Sequence, residues 1–237
     1  MFCKNTVIRY SESDLTGRLS MEGLLRLFQD FGYEHALCRG LGIDKTMESR
    51  KTWYLLSWKI ELLSPPKIGE EVSLSTWFYE LKGPMAKKNI IMTNADQEVL
   101  AKADTMWVYV DIMTQTPTLP QADMWPKEDM GEELSFEKDS RRIPIIKPSG
   151  ENALRPLPAK DWVIDTNHHA NNTKLTLLAM ALSGADFGCV TLRAEFINQI
   201  PKGAMMYPFM EQTKKQILLA FKNEGGTDYA NFRFLMQ

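Results

Sequence analysis

Over 237 residues, 44% hydrophobic and 10% aromatic, the chain carries enough apolar material to bury a substantial core as one large domain or two small ones. Its 28 Lys and Arg nearly balance 30 Asp and Glu, so no global field recruits nucleic acid or an anionic membrane, and a charged partner must meet a local patch. Cys3, Cys38 and Cys189 are scattered without metal-knuckle or redox spacing, the N-terminus lacks an apolar signal core, and no apolar run approaches a membrane span; a cytoplasmic protein without metal or other cofactor is expected.

In chain order, Met21, Leu24, Leu25, Phe28, Phe31 and Gly32 recur at helical spacing and predict one long amphipathic helix from Ser20 to about Gly40. Val72 to Tyr79, Lys88 to Thr93 and Ala103 to Val110 are rich in aromatic and β-branched residues and read as strands, with a turn at Asn94 to Gln97. Seven prolines between Thr114 and Lys160 mark a long connector, with a short helix expected near Glu128 to Lys138. A second helix is predicted from Lys174 to about Gly184. Strands follow at Ala204 to Gln212, Lys215 to Lys222 and Tyr229 to Met236, with a turn at Asn223 to Asp228.

The two halves resemble each other. Trp58-Lys-Ile-Glu61 through Gly69 aligns with Leu192-Arg-Ala-Glu195 through Gly203; in both, a basic residue precedes the Glu by two and a Gly follows it by eight. One long helix followed by an antiparallel meander, repeated once, is the pattern of an α+β double hotdog, in which one half stands where a second subunit would stand in a dimer. The boundaries read as 1–113 for the first hotdog, 114–160 for the Pro-rich linker and 161–237 for the second.

Asp165-Thr-Asn167-His168-His169-Ala-Asn171-Asn172 stands directly ahead of the apolar run Leu175 to Leu182. In an extended entry to the helix, Asp165, Asn167 and His169 project to one side and His168 to the other. The Asn pair reads as an N-cap, beside which the first-turn amides and the helix dipole suit an oxygen acquiring negative charge. The plainer reading is a polar turn that caps a buried helix. The matching entrance in the first half, Ser11-Glu-Ser-Asp14-Leu-Thr-Gly17, has no His or Asn, so capping does not require that set.

Asp165-x-Asn167-x-His169-x-Asn171-Asn172 followed by Leu192-Arg-Ala-Glu195 resembles the acyl-ACP thioesterases, plant and bacterial enzymes that release fatty acids from acyl carrier protein. The resemblance implies a catalytic group of Asp165, Asn167, His169 and Glu195, and an acyl tunnel in the first half with Met21, Leu24, Leu25 and Phe28 as lining; ordinary helix-facing core is the alternative for those four. Where the plant enzymes carry Cys after the Glu, this chain has Phe196.

A thioester releases a thiolate of pKa near ~8.5, so the main requirement is an activated attacking oxygen. His169 can take a proton from water. Glu195 orients that imidazole or is the base itself, and Asp165 attacks the carbonyl or positions the water. Asn167 can hold a carboxylate, the water or the carbonyl oxygen. Backbone amides around Asn172 and Thr173 are candidates for the oxyanion site, and Glu61 is expected to keep a structural or surface role.

Several other signals are weaker. His35 and Cys38, at i and i+3, read as a buried thiol beside a partly buried imidazole. Met205 to Met210 offers an adaptable acyl surface or routine core filling. Acidic acyl carrier protein is the implied partner, and Lys87-Lys88, Arg141-Arg142 and Lys214-Lys215 are the visible basic doublets. The expected activity is hydrolysis of fatty acyl-ACP in fatty acid biosynthesis. An acyl-CoA thioesterase, a non-catalytic acyl-binding hotdog and a hydratase are the competing functions, and a homodimer stays open.

Overall fold

The computed structural model describes residues 1–121, 124, 129–136, 142–185 and 189–236, with backbone alone at 189 and 190. The chain divides into two compact units, one of Met1–Leu56 and Ile60–Phe136, the other of Ser57–Lys59 and Glu137–Gln237.

The first unit contains β1 (Phe2–Val7), α1 (Met21–Cys38), α2 (Ile43–Ser49), β2 (Lys51–Leu62), β3 (Glu71–Lys82), β4 (Met85–Thr93), β5 (Val99–Asp111) and the two-residue β6 (Thr116–Pro117). Ser20 caps α1, its side chain accepting from the Gly23 N–H. Met21, Leu24, Leu25 and Phe28 are buried along one stripe of the helix together with Phe31. Each such side chain is worth ~1.5–3 kcal/mol relative to exposure, which explains why this helix is stable where an isolated one would fray. The turn at Tyr10–Glu12 lies so close to α1 that a Cβ at Gly23 would stand 2.1 Å from the Glu12 carbonyl oxygen, so only glycine fits there. β3, β4 and β5 pair in antiparallel succession, and β1 adds to the outer side of β3.

The second unit contains β7 (Leu157–Pro158), α3 (Asn172–Ser183), β8 (Cys189–Phe196), β9 (Met205–Gln212), β10 (Gln216–Lys222) and β11 (Asp228–Met236), with strand order β8-β11-β10-β9-β7. Its sheet has two unlike faces. Leu192 and Ala194 on β8, Ile217, Leu219 and Phe221 on β10, and Phe232 and Phe234 on β11 share one apolar face by register and are buried, and α3 packs on β10. The opposite face carries Glu195, Arg193, Asn231 and Arg233, with Leu218 and Ala220 covered by Ile143 and Ile146.

Both units therefore repeat the hotdog order of one long helix followed by an antiparallel meander. The stretch 114–160 is divided between them. In the first unit the Trp77 indole donates to the Glu132 carbonyl at 2.7 Å and the Leu134 N–H to Asn89 Oδ1 at 2.8 Å. These bonds hold residues 131–136 without helical structure, so the helix expected near 128–138 does not form over that stretch. The reason is that side chains of the sheet satisfy the segment's backbone in place of an i to i−4 ladder.

Other expectations also change. Cys38 is exposed whereas His35 is 3% exposed and hydrogen-bonds Asp129 at 3.0 Å, so the thiol is on the solvent side of the helix and the imidazole inside. Lys88 is buried, its ammonium 5.6 Å from the Phe78 ring centroid, and does not belong to a solvated doublet. Lys87 pairs with Glu80, and Lys214 and Lys215 are exposed. Arg141 and the Cys189 side chain lie outside the described residues.

Candidate active site

The segment from Val163 to Asn172 enters α3 as a closed turn, not as an extended chain. The Asp165 N–H donates to the His169 carbonyl at 3.0 Å and the His168 N–H to the Asp165 carbonyl at 3.0 Å. Ile164 and Ala170 bridge antiparallel above them. His168 closes the turn at φ 65°, a left-handed conformation that costs a non-glycine residue about 1 kcal/mol. The alternation expected for Asp165, Asn167 and His169 therefore does not hold. Asn167 lies exposed at the tip, and its N–H donates to Asp165 Oδ1 at 2.8 Å. This is an Asx turn, which a short carboxylate two residues back makes readily.

Three further ties fix the turn. The Ala170 N–H donates to the Ile200 carbonyl at 2.9 Å and the Asn171 N–H to the Val163 carbonyl at 2.8 Å. Lys174 Nζ donates to the Ile164 carbonyl at 3.1 Å. Of the Asn pair, Asn171 is the N-cap, its Oδ1 accepting from the Lys174 N–H at 3.1 Å, whereas Asn172 is already helical. Thr173 is 2% exposed and its hydroxyl is buried without a hydrogen-bond partner. The first turn of α3 contains no acidic side chain, and the nearby acid is Asp165 in the turn ahead of the cap.

Asp165 and His169 are both half-buried in this turn, and His168 is exposed. Burial holds the His169 imidazole below its ordinary pKa, opposed by the Asp165 carboxylate and assisted by His168. A neutral imidazole beside a carboxylate can accept a proton and then be stabilised as the cation. Glu195 approaches from elsewhere. It sits on the face of the sheet opposite Leu192 and Ala194, and its Oε1 accepts from the Ile143 N–H at 3.3 Å. Burial raises its pKa, opposed by the Ile143 hydrogen bond and by Arg193 and Arg142. The turn thus gathers Asp165, His169 and Asn171, with Asn167 contributing its backbone, and Glu195 stands on β8 with the Ile143 N–H as its hydrogen-bond donor. The contact between Asn171 and Asp165, at 3.4 Å, is one that sequence reading missed, because residues six apart meet only when the turn closes.

The second unit thus carries an acid and an imidazole at the N-terminus of the helix of a hotdog. A family model described as the acyl-ACP thioesterase N-terminal domain matches residues 1–123, and the chain belongs to that family of thioester hydrolases. A search of curated protein sequences finds no match. Among solved structures, an acyl-ACP thioesterase from Bacteroides thetaiotaomicron is similar at a TM-score of 0.83 and 22% identity, over 100% of this chain and 97% of that one. The 12:0-ACP thioesterase from Umbellularia californica is similar at a TM-score of 0.81 and 13% identity, over 100% and 96%. A smaller Staphylococcus aureus protein solved in complex with CoA covers 61% of this chain and 95% of its own at a TM-score of 0.54 and 13% identity. These likenesses extend the double hotdog over the whole chain.

Proposed function

We propose that the chain hydrolyses fatty acyl thioesters of acyl carrier protein, releasing the free acid in fatty acid biosynthesis, with Asp165 and His169 at the reacting centre. The observation that carries this reading is the closed turn that brings the half-buried His169 and Asp165 together at the N-terminus of α3. In the proposed path His169 takes a proton from water as its oxygen adds to the thioester carbonyl. The carbonyl oxygen becomes an oxyanion beside the first-turn groups of α3 at Asn172 and Thr173. Collapse breaks the carbon–sulfur bond, and the imidazolium returns its proton to the thiolate. Asp165 balances the positive charge held in between, and Asn167 shapes its carboxylate through the turn.

Glu195 enters the proposal through family membership. Retention of full turnover by Glu195→Gln removes it from the catalytic group. Met21, Leu24, Leu25 and Phe28 are proposed as acyl-chain lining on the same ground, with their burial in the first unit as support. The test of the substrate is a panel of matched acyl-ACP and acyl-CoA thioesters assayed for released acid and free thiol. Faster hydrolysis of the ACP series is expected. A strong preference for CoA, the ligand of the Staphylococcus aureus fold neighbour, overturns the carrier assignment, and acyl binding without turnover overturns the enzyme assignment.

A further inference from the structure

We infer that Asn171 is a positioning residue for the Asp165 carboxylate as well as the cap of α3. This inference rests on the proposed catalytic use of Asp165. Its cap geometry fixes which way the amide faces: Oδ1 is committed to the Lys174 N–H at 3.1 Å, so Nδ2 is the end that points at Asp165 Oδ2, at 3.4 Å. Asp165 Oδ1 is meanwhile held by the Asn167 N–H at 2.8 Å. Each carboxylate oxygen thus has its own donor, and the plane of the acid is set from two sides. The helix N-terminus supplies the rigid base, because Asn171 cannot rotate toward solvent without giving up its bond to the first turn.

The first unit provides an internal control. Its cap, Ser20, accepts from the Gly23 N–H at 3.0 Å, and its hydroxyl donates back to the Glu12 carbonyl at 3.0 Å. The matching acid, Asp14, is held at Oδ1 by the Thr16 N–H and hydroxyl and by the Arg18 N–H, all from its own turn. A serine cap is sufficient for the helix, and it makes no bond to the acid. The longer amide at 171 therefore does something that capping does not ask for. It turns the cap into a link between helix α3 and the side chain on which the chemistry depends.

The experiment compares Asn171→Ser, Asn171→Asp and Asp165→Ala with wild type in acyl-thioester hydrolysis, alongside thermal unfolding and Ser20→Asn in the first unit. Ser, Asp and Asn cap helices about equally, so both 171 variants should unfold within a degree or two of wild type. Asn171→Ser replaces the amide that reaches Asp165 with a shorter hydroxyl and should lower kcat about tenfold with little change in KM. Asn171→Asp places a second carboxylate beside Asp165, and like charge should move the acidic limb of kcat/KM to higher pH by roughly one unit. Ser20→Asn should leave turnover unchanged. Wild-type kcat and pH profile in both 171 variants, with Asp165→Ala inactive, would overturn the inference while leaving the proposed function intact. A loss of kcat in Asn171→Ser that is matched by a loss of thermal stability would also overturn it, in favour of capping alone. An active Asp165→Ala would sink the proposed function itself, and this inference with it.

Discussion

At the entrance to α1, the Asp14 N–H donates to the Arg18 carbonyl at 2.7 Å, the Gly17 N–H to the Asp14 carbonyl at 3.1 Å, and the Thr16 N–H to Asp14 Oδ1 at 2.8 Å. At the entrance to α3 the same three bonds run from Asp165 to His169, from His168 to Asp165 and from Asn167 to Asp165. The anchoring bonds match as well: the Leu19 N–H donates to the Pro66 carbonyl at 2.8 Å, as the Ala170 N–H does to Ile200. One backbone device has been built twice, and it needs an acid at its first position and a cap at its seventh. It does not need the imidazole, for Arg18 occupies that place in the first unit and donates to the Pro65 carbonyl. What the fold does not demand at 169 and 171 is therefore where chemistry is to be sought.

The difference extends to the helix ends. α1 has Glu22 in its first turn, paired with Arg26, and this acid offsets the helix dipole. α3 has the buried Thr173 at the matching place. The first entrance thus has one more acid at its helix N-terminus than the second.

The largest expected effects test this contrast directly. Asp165→Ala and His169→Ala should each lower turnover on the order of 10²-fold or more if they act in the transition state, whereas Asp14→Ala and Arg18→Ala should leave it near wild type. Steady-state assays of all four decide it; near-wild-type activity after either change in the second unit removes that residue from the mechanism. Because burial lowers the His169 pKa, the imidazole stays neutral to below 6.5, and kcat/KM should hold down to that range and fall at lower pH. An acidic limb that inflects above pH 7 contradicts a neutral, buried base.

A third effect separates stability from catalysis. Burial and the nearby Lys88 depress His35 to about 4, with Asp129 opposing them. The unfolded chain takes this proton near 6.5, so between about 4 and 6.5 the unfolded state binds more protons and stability rises with pH across that window. The first unit should lose up to about 3 kcal/mol on going from pH 6.5 to 4 from this group alone. Asp129, whose pKa is lowered by its bonds to His35 and the Met1 amine and by Arg39 despite burial, adds a loss of the same sign at lower pH. Thermal unfolding against pH checks this, and His35→Gln should flatten the dependence. The smallest effect compares the turn closures at Gly17, φ 72°, and His168, φ 65°. Gly17→Ala should cost about 1 kcal/mol, whereas His168→Gly should change stability by only a few tenths, strain relief offsetting the entropy of glycine. Equal penalties for both, measured by thermal unfolding, would break the equivalence of the two turns.

Much of this molecule was legible in its residues. The helical spacing from Met21 to Phe31 has a period that only one face of a helix can satisfy, and the Glu61 to Gly69 and Glu195 to Gly203 repeat preserved the order of elements in both units. The helix entrance was legible as a polar turn with an asparagine cap, because polar residues crowd ahead of the apolar run of α3. Its shape was not. Alternation gave an extended entry, but an Asx turn and a left-handed residue at 168 closed the chain on itself, since bonds to Val163 and Ile200 reward closure only once distant segments are in place. The face of Glu195 was likewise fixed by its pairing with Asn231 and by Ile143 above it. Local pattern thus determined the two long helices, most of the strands and the family. Tertiary structure decided which of those groups meet, because turn closure and strand register depend on partners far away in the sequence.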